Sequence, residues 1–247
     1  MKPVSLLGIL GGLGPMSTFY FCELITEHTL AHGDAEHIDM IISSRASTPD
    51  RTAYILGTST KNPLPIMKTE VERLSSAGAE LIVIPCNTAH YFYEGLSKHS
   101  SVPVLNIIEE TVKYLKNRNI TTCGLLATEG TVQSKAYHQL CDANEIRCIT
   151  PTNEEQAQIS NIIYGAVTQN KPADFSAFLH ISQSLLNRGC ECLVLGCTEL
   201  SLLRREGLTQ PWYVDSLEVL AHRTITLCGK TPVGFSPEFD CLKEAEI

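Results

Sequence analysis

The amino-acid sequence predicts an α/β fold of two pseudo-symmetric lobes, each a parallel sheet flanked by helices, with an active site in the cleft between them. The first reason is an internal repeat. Residues 78–90 read GAELIVIPCNTAH and residues 189–201 read GCECLVLGCTELS, so Gly78, Glu80 and Cys86 recur 111 residues later as Gly189, Glu191 and Cys197. The second is that the flanking segments repeat in the same order: CGLLAT at 123–128 mirrors LGILGG at 7–12, and QPWYV at 210–214 mirrors SVPVL at 101–105. The third is periodicity. Met67, Val71 and Leu74, then Phe178, Ile181 and Leu185, follow helical spacing, and each set precedes an unbroken apolar run. A helix followed by a strand buried on both faces is half of a βαβ unit, which requires parallel strands. The duplication sets expected boundaries: 1–104 with 215–247 in the first lobe and 105–214 in the second.

The elements follow in order. Ser5–Leu10 reads as the first strand, and Gly11-Gly12-Leu13-Gly14-Pro15 as a tight turn with Pro15 at the first helical position. Phe19, Cys22 and Ile25 carry a helix to about Leu30. The glycines nearly match a dinucleotide fingerprint. Ser17 stands where the third glycine belongs, however, and no acidic residue closes a clear second strand. The turn reads instead as a close-approach loop whose amides, at Gly12 and Leu13, face a small anion.

Ile38–Ser43 is the second strand. It runs into Ser43, Ser44, Arg45, Ala46, Ser47, Thr48, Pro49, Asp50, Arg51 and Thr52, a loop whose arginines and hydroxyls suit carboxylate recognition. The competing reading pairs Arg51 with Asp50 or makes it a helix cap. A helix near 64–77 follows, with Gly78 as its C-cap, then a strand at 80–84. Strands at 102–105 and 210–214 each lead into a helix, near 107–116 and 216–228. The last of these is expected to pack back on the first lobe. The tail from Thr231 to Ile247 has no convincing period and is expected to be peripheral.

With 247 residues and 43% apolar content, the chain can bury a full core. A net charge of −8 and a pI near 5.5 argue against nucleic acid or anionic membranes as partners. The apolar stretch in MKPVSLLGILGGLGP is too short for a convincing signal peptide or membrane span. Ten scattered cysteines without an export signal read as reduced thiols of a cytosolic protein.

Chemistry concentrates on Cys86 and Cys197. Each lies just past the carboxyl end of a strand, where open α/β sheets bind ligands. A helix starting after each would favour a thiolate or a bound carboxylate there. The plainer alternative is two small core residues in a duplicated fold. Lobes packed about a pseudo-twofold axis would place the thiols on opposite walls of one cleft. Two acid–base groups on opposite faces of one carbon suit inversion of its configuration: one thiolate removes the Cα proton and the opposite thiol returns one. Backbone amides at Asn87, Thr88, Thr198 and Glu199 are placed to hold a substrate carboxylate as charge builds on it. His28 and His32, with Asp34, Glu36 and His37 nearby, and the pair Cys86–His90 have helical spacing for a metal. Neither set offers four ligands at a recognised spacing, so no metal is expected.

The pieces GILGGLGPMST, TPDRTAYILG, IPCNTAH, GLLATEGT and LGCTEL, spread over about 1–215, resemble the aspartate/glutamate racemase superfamily of cofactor-independent amino-acid racemases, its aspartate branch most closely. PCNTAH together with GCTEL is the specific part. The resemblance implies Cys86 and Cys197 as the catalytic pair, no cofactor, and a homodimer. It also implies a substrate pocket containing Asn87, Thr88, Thr198 and Glu199, with Arg51 on the side-chain carboxylate; Gly12, Leu13, Ser44 and Thr128 are further pocket candidates. Glu199 stands where the glutamate branch carries a His. Two features depart from the family. Arg45 and Ala46 replace a frequent Asn and Pro, and Thr168 holds the place of a lysine thought to bind the distal carboxylate, with Lys171 three residues on. Arg45, Thr131 and Lys171 are therefore further candidates.

The expected activity is racemisation of aspartate, with glutamate as the other acidic candidate. Both cysteines are present, which argues against a single-thiol decarboxylase, and the loop arginines argue against a hydantoin substrate. The rival of a different class is a non-catalytic binder of acidic amino acids or a redox-sensing thiol protein.

Overall fold

The computed structural model describes residues 3–169 and 171–242. The first half runs β1 (Leu7–Gly11), α1 (Pro15–Glu27), β2 (Met40–Ser44), α2 (Arg51–Ile55), α3 (Leu64–Ser76), β3 (Leu81–Val83), a 3-10 turn (Thr88–Phe92), α4 (Tyr93–Ser97) and β4 (Val104–Leu105). The second half runs α5 (Ile107–Asn117), β5 (Thr122–Leu126), α6 (Glu129–Ser134), α7 (Ala136–Asp142), β6 (Arg147–Ile149) and α8 (Asn153–Ser160). A π-helical turn (Asn161–Ala166), α9 (Phe175–Asn187), β7 (Cys192–Leu195), α10 (Thr198–Arg205), β8 (Tyr213–Asp215) and α11 (Ser216–Leu227) follow.

Two four-stranded sheets result, ordered β2-β1-β3-β4 and β6-β5-β7-β8, and every pairing is parallel. The registers repeat with the sequence. Leu7 faces Leu81 as Cys123 faces Cys192, and Ile82 faces Val104 as Leu193 faces Tyr213. The repeated acidic residue has one task in both halves. Glu80 accepts the Ser5 amide at 2.8 Å, and Glu191 accepts the Thr121 and Thr122 amides at 2.9 Å, each fastening the chain that enters the central strand. Gly78 and Gly189 carry φ of 97° and 92°, the left-handed conformation that ends α3 and α9 and turns the chain into its strand.

The central strands β1, β3 and β7 are buried throughout, as expected for parallel sheets covered on both faces. The outer face of the first sheet packs on Met67, Val71 and Leu74 of α3; that of the second packs on Phe178, Ile181 and Leu185 of α9. The inner faces share one core. Ile9 and Val83 of the first sheet and Leu125 and Val194 of the second join Phe21 of α1, Val112 of α5 and Leu220 of α11 in it. Helix α11 packs against both α5 and α1. Asn106 caps α5 through the Ile108 amide and Asp215 caps α11 through the Leu217 amide, an equivalent device at equivalent strand ends.

Three expectations change. Helix α1 stops at Glu27 rather than Leu30, because Thr29 leaves the helix to bridge Pro232 and the Leu30 amide bonds Thr231. The segment after Cys86 is a 3-10 turn, whereas a true α-helix follows Cys197. The tail is not peripheral as far as it is described: Phe239 is buried and stacks on Tyr114 and on His222. Residues 243–247 lie outside the described residues. All ten cysteines are free. Among the described residues no helix is long and apolar enough to cross a membrane.

Candidate active site

Each cysteine motif begins where a buried strand ends. After β3 the chain turns sharply, the Cys86 amide bonding the Ile84 carbonyl at 2.7 Å, so the thiol faces the carboxyl edge of the sheet. Cys197 occupies the cap position of α10 in extended conformation. The two motifs meet directly: the Thr198 hydroxyl donates to the Pro85 carbonyl at 3.3 Å, joining the residue after Cys197 to the residue before Cys86.

A cavity of about 280 Å³ opens between the sheets. Its wall takes Gly12, Leu13, Gly14, Thr48, Asp50, Arg51 and Thr52 from the first half with Cys86 and Thr88, and Thr128, Ile163, Tyr164, Thr168 and Glu199 from the second. Cys197 itself stands behind that wall. Its S–H donates to Glu199 Oε2 at 3.0 Å, and Glu199 is what the cavity presents on that side.

Both thiols are raised, but only Cys86 has a cation beside it. Burial raises Cys86 above the ordinary thiol value, while the adjacent Arg51 guanidinium pulls it down through charge and a hydrogen bond; Glu199 pushes it up. Cys197 is raised well above that value, by burial first and then by the Glu199 carboxylate, which repels a thiolate and accepts the thiol proton. Charge on Cys86 raises Cys197 as well. The site therefore favours a proton on Cys197 and, once one thiol ionises, the thiolate on Cys86.

The remaining predicted residues divide. Thr88, Thr128 and Thr131 form a triangle of hydroxyls at 2.9–3.0 Å, of which Thr88 and Thr128 reach the cavity and Thr131 stands behind them. The Asn87 side chain is spent on the fold. It donates to Ser216 at 2.9 Å and accepts from Tyr137 at 2.7 Å, bracing the Cys86 turn against the second half. Arg51 is neither paired with Asp50 nor a cap; Asp50 caps α2 through the Ala53 amide, while Arg51 donates to the Leu13 carbonyl at 3.0 Å and that of Pro49 at 3.2 Å.

Four expectations are corrected. Arg45 does not supply charge to the cavity, because its guanidinium pairs with Glu70 at 2.9 Å, which also holds Ser43 and Arg73. Lys171 is exposed, bonds Gln169 at 2.6 Å and lines a different groove with Met16 and Arg205. Ser44, the last residue of β2, is exposed and off the cavity wall. The Gly12 amide does not face an anion; it donates to the Thr18 hydroxyl at 2.9 Å. His90 is committed to the backbone: Nδ1 bonds the Cys86 carbonyl at 2.8 Å and Nε2 accepts the Ile107 amide at 3.3 Å. Gly12 matters through its backbone: with φ of 82°, a Cβ there would lie 2.4 Å from the Arg45 amide nitrogen. Gly12→Ala is expected to destabilise the fold by at least ~1 kcal/mol, read as a lowered midpoint in thermal denaturation.

Among the cavity residues missed from the sequence, Ile163 included, Tyr164 is the one with a polar contact. It donates to the Thr52 hydroxyl at 2.9 Å, closing a link between the halves across the cavity wall.

Residues 10–224 match the family described as Asp/Glu/Hydantoin racemase. The chain belongs to that family. Over 230 residues the racemase is 26% identical to the broad specificity amino-acid racemase RacX of Bacillus subtilis (strain 168), covering 90% of this chain and 97% of that one. It is also similar to the solved aspartate racemase of Picrophilus torridus, with a TM-score of 0.79, 26% identity, and 93% and 96% of the two chains covered. The glutamate racemase of Francisella tularensis, solved with D-glutamate, shares the fold at a TM-score of 0.62 and 18% identity, covering 90% of this chain and 80% of that one.

Proposed function

We propose that this racemase interconverts the enantiomers of an acidic amino acid, aspartate first and glutamate second, by proton transfer between Cys86, Cys197 and the substrate Cα. The observation that carries the reading is one cavity with Cys86 beside Arg51 on its wall and, from the other half, Glu199 holding the Cys197 thiol just behind the wall. A Cys86 thiolate removes the Cα proton from one enantiomer while Cys197 protonates the opposite face. In the reverse direction the roles exchange: the Cys197 thiolate removes the Cα proton and the Cys86 thiol returns one. Arg51 is the lone Lys or Arg side chain among the described residues of the wall, and holds the substrate's distal carboxylate. Hydroxyls of Thr48, Thr52, Thr88 and Thr128 complete a polar lining.

A second reading, a broader substrate range, is favoured by Thr168 on the wall in place of a second cation and by the likeness to a relative named for broad specificity. The test is a panel of L-amino acids with chiral separation of products. D-Aspartate should form fastest, glutamate more slowly, and alanine at least tenfold more slowly than aspartate. Neutral amino acids turning over as fast as aspartate would overturn the acidic assignment.

Two further outcomes are expected. The thiol pair needs neither metal nor electron sink, so activity should survive exhaustive dialysis against chelator and treatment with a carbonyl reagent. Loss restored by an added metal or pyridoxal phosphate would contradict this. The pH profile should be bell-shaped with both limbs on the alkaline side. Raised thiols mean that activity climbs as pH rises through the first ionisation and falls as the second thiol loses its proton. Glu199 raises both thiols, so Glu199→Gln should move both limbs to lower pH while reducing kcat by about 10²-fold. Limbs that stay in place would show that Glu199 does not act on the thiols.

A further inference from the structure

Three thiols outside the cleft form a compact set. The sulfurs of Cys123, Cys141 and Cys148 all lie within 4.8 Å of one another, and among the described residues no carboxylate or imidazole joins them. Cys123 and Cys148 are register partners on β5 and β6, so they project from the same face of the second sheet. Cys141 lies in the last turn of α7, which packs over β6, and the Asn144 and Ile146 amides both bond its carbonyl at 2.9 Å, fixing the turn that delivers β6. The set sits towards the amino ends of the strands, whereas Cys86 and Cys197 lie beyond the carboxyl ends of theirs. Cys123 and Cys141 are fully buried, while Cys148 is partly exposed.

We infer that this triad is a binding site for a soft monovalent d10 cation, copper(I) being the natural probe. Metal–sulfur bonds of about 2.3 Å put the sulfurs of a trigonal set about 4 Å apart, a contraction of less than 1 Å from the widest separation present. Thiolates select copper(I), zinc and iron–sulfur clusters, and three ligands without a fourth favour copper(I) over tetrahedral zinc. Binding replaces S–H protons, released to solvent, with metal–sulfur bonds and leaves the copper oxidation state unchanged.

The test uses the full chain carrying Cys86→Ser and Cys197→Ser, so that the cleft thiols do not compete. Copper(I) is titrated anaerobically against a chromogenic copper(I) chelator. One tightly held equivalent is expected, with three sulfurs near 2.3 Å by X-ray absorption. Adding Cys148→Ala should weaken binding at least 100-fold. Unchanged racemase kinetics of Cys148→Ala in the otherwise natural chain would show that it folds, and Cys141→Ala gives a second variant should it fail. An equivalent that survives both triad substitutions, two-sulfur coordination, or no binding against the chelator would overturn the site and leave three core thiols.

Discussion

Cys86→Ser and Cys197→Ser are each expected to reduce racemisation by about 10³-fold or more, the range spanned by a positioned acid–base group. Serine keeps the shape but is far too weak an acid to ionise in place of a thiol whose ordinary pKa is about 8.5. The surroundings make the two losses unequal in kind. Cys86 is the thiol beside a cation, and its loss removes the base that the resting site favours. Cys197 is bonded to Glu199, and its loss leaves a carboxylate without its S–H donor. Each variant retains one thiol able to remove a Cα proton and return a solvent proton to the same face. Residual Cα–deuterium exchange should therefore favour opposite enantiomers in the two variants. Near-normal racemisation in either, or the same preference in both, would contradict the two-thiol reading. Retained aspartate binding without exchange would move support to the non-catalytic binder.

Arg51→Ala is expected to lower kcat/KM for aspartate by one to two orders of magnitude or more, equivalent to the roughly 1.5–3 kcal/mol of a charge-assisted contact. Its position beside Cys86 adds a second effect. Removing the guanidinium takes away the influence that lowers the Cys86 thiol, so the acid limb of the pH profile should move to higher pH for every substrate. Alanine should suffer only this shared loss, and aspartate the shared loss plus the lost carboxylate contact. Equal losses on both substrates would confine Arg51 to acting on Cys86 and supporting the Leu13 loop.

The duplication made most of the fold legible. Spacings of 111 and 116 residues in sequence reappear as identical strand registers, because a register displaced by one residue would turn buried side chains to the wrong face. The placement of Cys86, Cys197 and Glu199 was legible because the buried apolar runs of β3 and β7 stop just before each motif. What was hidden depended on partners far away in sequence. Arg45 and Arg51 look alike on one loop, and only the approach of Glu70 from α3 separates them. Asn87 reads as a ligand-binding residue until Ser216 and Tyr137 arrive to consume its amide. Tyr164 sits on a π-helical turn, whose extra residue breaks the periodicity that would have placed it. Phe235 and Phe239 give the tail too few apolar positions to show a period, yet the pair stacks at 5.0 Å within the ring cluster beside α11.

In the proposed reaction, two thiols on opposite faces of Cα exchange protons with solvent during inversion. The most direct measurement follows unlabelled L-aspartate in deuterated water at low conversion, with separate analysis of recovered substrate and product. The two-thiol account predicts solvent deuterium at Cα of the D-aspartate formed, while the remaining L-aspartate keeps its proton. D-Aspartate retaining the substrate's own Cα proton would mean that a single group removes and returns it, and would contradict the account.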